Sequence, residues 1–154
     1  MTHETMENKE KKGFGGSKPI VLEVPSSSEY ILLARLVVSC VGRLARFEPE
    51  DVYDLKLAVT EAATNAVRHA AVDSFLIEYR VLPRAVEITV VDEGGGFDVE
   101  GLTGRPDEHG GFGLAVIRSL VDEVILDSSA GGGTRLTMIR RATPPERTTR
   151  LKTP

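Results

Sequence analysis

Residues 55–70 read LKLAVTEAATNAVRHA, and this stretch decides the fold. At 100° per residue it divides into faces. Val52, Leu55, Val59, Ala62, Ala66 and Ala70 line one side, which predicts the core stripe of a helix over about 50–71. Pro49 suits the opening of that helix, because its missing N–H is not needed there. Asp54, Glu61, Asn65 and Arg68 form a polar line beside the apolar stripe rather than opposite it.

The chain outward from this helix fills in an α+β domain. Ile20–Val24 alternates as a short strand does. Ser26 and Glu29 have capping-box spacing before a helix reaching about Phe47, with Ile31, Leu32, Ala34, Leu36, Val38, Val41, Leu44 and Ala45 as its apolar residues. Ser74–Leu82 and Ala85–Asp92 read as a hairpin turned at Pro83-Arg84. A helix is expected over about 113–121, and Glu123–Ser128 with Thr134–Arg140 make a second hairpin around Gly131–Gly133. The order β-α-α-β-β-loop-α-β-β predicts a two-layer α/β sandwich: a mixed, mostly antiparallel sheet with helices on one face. Residues 18–141 form the expected domain. Residues 1–17 and 142–154 lack periodic hydrophobicity and are expected to be disordered tails.

Bulk properties mostly exclude. A chain of 154 residues holds one domain with a real core. Net charge is −4, against a broad nucleic-acid-binding surface. No apolar run spans a bilayer and the N-terminus has no signal-peptide pattern, so a cytoplasmic location is expected. Cys40 cannot form an internal disulfide, being the single cysteine, and its apolar surroundings predict a buried, reduced thiol. His3, His69 and His109 show no metal-ligand spacing. There are 15 glycines in 154 residues, about 10%, against an average of about 7%. Most crowd between Gly94 and Gly133.

Four clusters carry possible chemistry. Glu61 and Asn65, at i and i+4, share a helix face and offer oxygen to one hard cation, while the carboxylate could accept a proton. An isolated E-x-x-x-N is more often a solvated face. Asp92 ends a strand and precedes Gly94–Gly96, where a carboxylate could accept a hydrogen bond from an amino group; a plain turn is the alternative. His109-Gly-Gly-Phe-Gly113 leads into a helix whose first N–H groups could face a phosphate; a flexible loop is the alternative. Gly131–Gly133 with Thr134 reads most simply as a hairpin turn. A P-loop is absent, and Gly101, Gly104 and Pro106 argue against the helix that a dinucleotide-binding turn needs.

The joint pattern is more specific than its parts. E-x-x-x-N on a helix, D-x-G-x-G after a hairpin strand, G-x-G-L at a helix start and G-G-T before a last strand occur in that order. Over about residues 20–140 this resembles the ATP-binding domain shared by gyrase, heat-shock chaperones, histidine kinases and mismatch-repair ATPases. Within that superfamily, LKLAVTEAATNAVRHA (55–70), VVDEGGGFD (90–98) and GGFGLAVIRSLVDEV (110–124) are closest to the anti-sigma factor serine-protein kinases.

The resemblance implies ATP and Mg²⁺ as cofactors and a serine-protein kinase that sequesters a sigma factor and phosphorylates an anti-anti-sigma protein. A non-catalytic ATP-binding switch is the alternative, and a homodimer is possible. Neither direct nucleic-acid nor membrane binding is expected. By resemblance, Asn65 is the Mg²⁺ ligand and Glu61 the catalytic base. Asp92 bonds the adenine amino group, and Gly94 and Gly96 admit adenine to the backbone. Gly111 and Gly113 lie beside the phosphates, Thr134 lies near adenine, and Arg105 reaches a phosphate or a partner from a lid at about 97–110. Two features depart from the family: His109 stands near where some members have a basic residue, and Ala71–Asp73 is shorter than the usual charged insert.

Overall fold

In the computed structural model of the chain, residues 18–69, 73–93, 113–129 and 133–145 are described. Strand β1 (Ile20–Pro25) is followed by a 3-10 turn (Ser28–Tyr30), α1 (Ile31–Leu44), α2 (Pro49–His69), β2 (Ser74–Leu82), β3 (Ala85–Asp92), α3 (Gly113–Leu120), β4 (Glu123–Ser129) and β5 (Gly133–Arg141). The sheet order is β1-β2-β3-β5-β4. Every pairing among the described strands is antiparallel, so the expected mixed, mostly antiparallel sheet has no parallel pair here.

Core formation follows from period. Phe75, Ile77 and Tyr79 of β2, Val86, Ile88 and Val90 of β3, and Leu136 and Met138 of β5 alternate onto one face. Ala34, Val38 and Val41 of α1 and Leu55, Val59, Ala62 and Ala66 of α2 cover it. Leu114 and Ile117 are the buried apolar side chains of α3. Tyr79 spans the layers, its hydroxyl donating to the Ala34 carbonyl at 2.9 Å. Burial pushes that phenol well above its usual range, so it stays protonated.

Pro49 opens α2 as expected, and the Asp51 carboxylate accepts the Glu48 backbone N–H at 3.0 Å. The capping box expected at Ser26 and Glu29 does not form. The chain makes a 3-10 turn first, and its N-cap, Ser27, makes no side-chain cap bond.

Cys40 is a correction. It is exposed, not buried. Ala34, Val38, Val41 and Ala45 take the inward face of α1 and its C-terminal turn, which turns Leu32, Leu36, Cys40 and Leu44 outward at every fourth residue. The chain also stays packed past Arg141. Ala142 is buried, and Thr143 donates to Asp51 through its N–H (3.0 Å) and its hydroxyl (2.6 Å), although the sequence reading places both residues in the C-terminal tail. Residues 1–17 and 146–154 lie outside the described residues.

Candidate active site

The polar line of α2 meets the end of the sheet at one cavity. Its wall is built from Ala62, Asn65 and Ala66 of α2, Val90 and Asp92 of β3, Leu114 of α3, Leu126 of β4, and Thr134 and Leu136 of β5. The cavity volume is about 20 Å³, room for about one water, so a larger guest must part the lining. Six apolar side chains give it a greasy lining, and three polar ones, Asn65, Asp92 and Thr134, give it direction. Ala62 and Ala66 sit one turn apart, and their small side chains leave the room.

Strand period explains the sheet side. Val90 and Asp92 share a face of β3, as Thr134 and Leu136 share one of β5, and Asp92 stands opposite Thr134 in the ladder. Both polar residues are buried, at 3% and 4% exposure. The Ser128 hydroxyl lies 3.4 Å from that of Thr134. Gly133 makes this juxtaposition possible. Its φ is +84°, and a Cβ there would overlap the Asp92 carbonyl oxygen and come within 2.9 Å of the Glu93 Cα.

On the helical side, Gly113 begins α3 against the Asn65 carboxamide. A Cβ at 113 would lie 3.0 Å from Nδ2 and 3.2 Å from Oδ1. The N-terminus of α3, with its outward N–H groups, therefore faces the Asn65 end of the cavity. Glu61 is one turn before Asn65 on α2 and half-buried, but it is not part of the cavity wall. Arg68 is exposed one turn beyond, and Asp54, the fourth residue of the polar line, pairs with Arg140 at 3.2 Å.

The structure thus brings together Asn65, Asp92, Gly113 and Thr134 of the expected site, with Glu61 beside them. Gly94, Gly96, Arg105 and Gly111 lie outside the described residues, as do the lid at about 97–110, His109 and Ala71–Val72. Sequence reading missed the apolar lining of Val90, Leu114, Leu126 and Leu136. Period-two spacing from Asp92 and Thr134 was the available signal for two of these.

A cation has a specific requirement here. Among the described residues, no group of three or more His, Cys, Asp or Glu side chains could hold a metal. Asn65 offers one hard oxygen. That donor set suits Mg²⁺, which keeps waters and takes phosphate oxygens from its substrate.

The chain belongs to the histidine kinase-like ATPase domain family, whose sequence model matches residues 24–140. It is 38% identical to the serine-protein kinase RsbW of Oceanobacillus iheyensis, over 73% of this chain and 80% of that protein. It is 36% identical to the serine-protein kinase RsbW of Staphylococcus aureus strain Newman, with the same coverage. In fold it is similar to the RsbU and RsbW domains of Rv1364c from Mycobacterium tuberculosis, with a TM-score of 0.60, 22% identity and coverage of 81% of this chain and 32% of that one. The histidine kinase domain of EL346 from Erythrobacter litoralis gives a TM-score of 0.51 at 19% identity, covering 76% of this chain and 61% of that one.

Proposed function

We propose that the protein is an ATP- and Mg²⁺-dependent serine-protein kinase that also sequesters a sigma factor and phosphorylates its anti-anti-sigma antagonist. The observation that carries this reading is the meeting of Asn65 with the N-terminus of α3 at one end of an apolar cavity and of Asp92 with Thr134 at the other. The serine-protein kinase names of relatives at 36–38% identity support the chemistry.

In this reading adenine enters the apolar lining, its amino group donates to Asp92, and Thr134 lies beside it. The phosphates lie toward Asn65 and the first N–H groups of α3. Asn65 would hold Mg²⁺, which would neutralise charge on the phosphates. The serine hydroxyl oxygen bonds to the γ-phosphorus as the bond from that phosphorus to the β–γ bridging oxygen breaks. Its proton passes to Glu61, and ADP leaves. Positioning and charge neutralisation supply most of the catalysis, with Glu61 adding roughly 10²–10⁴-fold. Gly94 and Gly96 admit adenine to the backbone, Gly111 lies beside the phosphates, and Arg105 contacts a phosphate or a partner.

The partners are a sigma factor and a small anti-anti-sigma protein whose unphosphorylated form frees the sigma factor. The cellular location is the cytoplasm. A homodimer is part of the proposal. Leu32, Leu36, Cys40 and Leu44 leave α1 apolar on its outward face, which favours a covering partner. Glu29 before the stripe and Arg43 near its end would pair in an antiparallel copy. Affinity purification with and without ATP tests the partner assignments. Recovery of a sigma factor with one form of the protein supports them, and its absence in both contradicts them.

A further inference from the structure

At the far end of α3 from the cavity, Arg140 of β5 joins three elements. Its Nη1 donates to the Leu120 carbonyl at 2.8 Å, in the last turn of α3. The same nitrogen lies 3.2 Å from Asp54 Oδ2, and Nη2 donates to Asp51 Oδ1 at 2.8 Å. Asp51 is fully buried and Arg140 is half-buried, at 16% exposure. The Nε of Arg140 is buried without a partner among the described residues.

Stability alone is a poor account of this arrangement. Buried ion pairs seldom outperform apolar side chains of similar volume, and an orphaned N–H adds a cost. What an apolar residue lacks is direction. A planar guanidinium fixes one helix carbonyl and two carboxylates in a single geometry, and a cation at a helix C-terminus also complements the dipole.

The helix so held is short. Eight residues span about 12 Å and make no stable helix alone. Leu114 and Ile117 are its buried apolar side chains and Leu120 packs against the core, contacts that hold the helix without fixing its direction as hydrogen bonds do. The helix packs along α2, and two features mark its ends: Gly113 lies on Asn65, and Leu120 is linked through Arg140 to Asp51 and Asp54. Asp54 and Asn65 lie eleven residues, about 16 Å, apart along α2.

We infer that Arg140 is a positioning residue for the nucleotide site: by tying the last turn of α3 to Asp51 and Asp54, it fixes the tilt of α3 and keeps Gly113 against the Asn65 carboxamide. The inference rests on the nucleotide-binding reading for its functional consequence, but not for its geometry.

Arg140→Lys keeps the charge and loses the planar fork, and Asp54→Asn loosens one arm only. Tyr79→Phe, which removes the bond to Ala34 and lies outside the cavity wall, is the control for general destabilisation. Two readouts are taken well below each melting temperature: the NMR resonances of the Asn65 side-chain amide in the free protein, and the Kd for ATP with Mg²⁺. Arg140→Lys and Asp54→Asn are expected to shift the Asn65 resonances, and Arg140→Lys to raise the Kd about tenfold. Tyr79→Phe is expected to move neither. Unchanged Asn65 resonances in both variants, or equal shifts in Tyr79→Phe, overturn the inference. If Arg140→Lys does not fold, Asp54→Asn decides on the resonance alone. Failure of the wild-type protein to bind ATP removes the nucleotide reading, and the resonance still decides whether Arg140 positions α3.

Discussion

The Asn65 carboxamide lies against the α-carbon of Gly113, so close that a Cβ at 113 would come within 3.0 Å of Nδ2 and 3.2 Å of Oδ1. A side chain of the cavity wall on α2 and the first residue of α3 thus share one spot. Any side chain at 113 must displace Asn65 before it disturbs the backbone.

Gly113→Ala separates binding from stability. Alanine favours a helix over glycine by up to about 1 kcal/mol, and the contacted atoms are the movable end of a side chain. Thermal unfolding of the free variant should therefore be unchanged or slightly higher. Affinity for ATP with Mg²⁺ should fall by about tenfold, because the Asn65 carboxamide is pushed aside by a few tenths of an ångström, as calorimetry would record. Equal losses of stability and affinity would contradict this geometry.

Asp51 predicts acid sensitivity in a defined window. Burial alone would raise its pKa, but hydrogen bonds from Arg140, Thr143 and the Glu48 N–H outweigh this and hold it at about 2, below the usual 3.8. The unfolded chain therefore takes up this proton first as pH falls. The stabilisation is full above about pH 4 and disappears as pH drops toward 2, and it amounts to about 2 kcal/mol. Asp51→Asn should flatten that part of the stability–pH curve. It should also destabilise at pH 7 by about 3–5 kcal/mol, because Arg140 loses its buried partner. Urea denaturation across pH checks both.

Gly133 carries a backbone prediction. Its φ of +84° is strained for an L side chain, and a Cβ would overlap the Asp92 carbonyl. Gly133→Ala should cost about 1–3 kcal/mol in urea unfolding. It should also weaken ATP binding, because Thr134 can no longer sit opposite Asp92.

Asp92 predicts base selectivity. A buried carboxylate accepts a hydrogen bond from the amino group of adenine, whereas guanine presents a carbonyl oxygen at that position. Asp92→Asn, which supplies a donor as well as an acceptor, should lower ATP affinity and narrow the ATP-over-GTP ratio by about tenfold or more. Competition calorimetry with the two nucleotides measures the ratio.

Much of this site was legible because period and spacing constrain it. In α2 the helical repeat alone places Asn65 beside the Ala62–Ala66 stripe, and α2 is long enough for that repeat to be unambiguous. The antiparallel ladder then brings Asp92 opposite Thr134. In α1 the same reasoning gave the helix but not the outward direction of Cys40. ILLARLVVSCVGRL is apolar nearly all round, so period does not say which side meets the sheet. The Arg140 network was not legible. Asp51 and Arg140 are 89 residues apart, and charged residues at a helix start and in a last strand read as surface until the sheet order brings them together.

The most direct test of the central claim is phosphoserine formation on the anti-anti-sigma protein from labelled ATP, measured in parallel for the wild-type chain and for Glu61→Ala. The account predicts transfer by the wild type, a loss of roughly 10²–10⁴-fold in the variant, and nearly unchanged ATP affinity in the variant. Tight ATP binding by the wild type without phosphoserine would contradict the kinase reading, and full transfer by Glu61→Ala would contradict the role of Glu61 as the base.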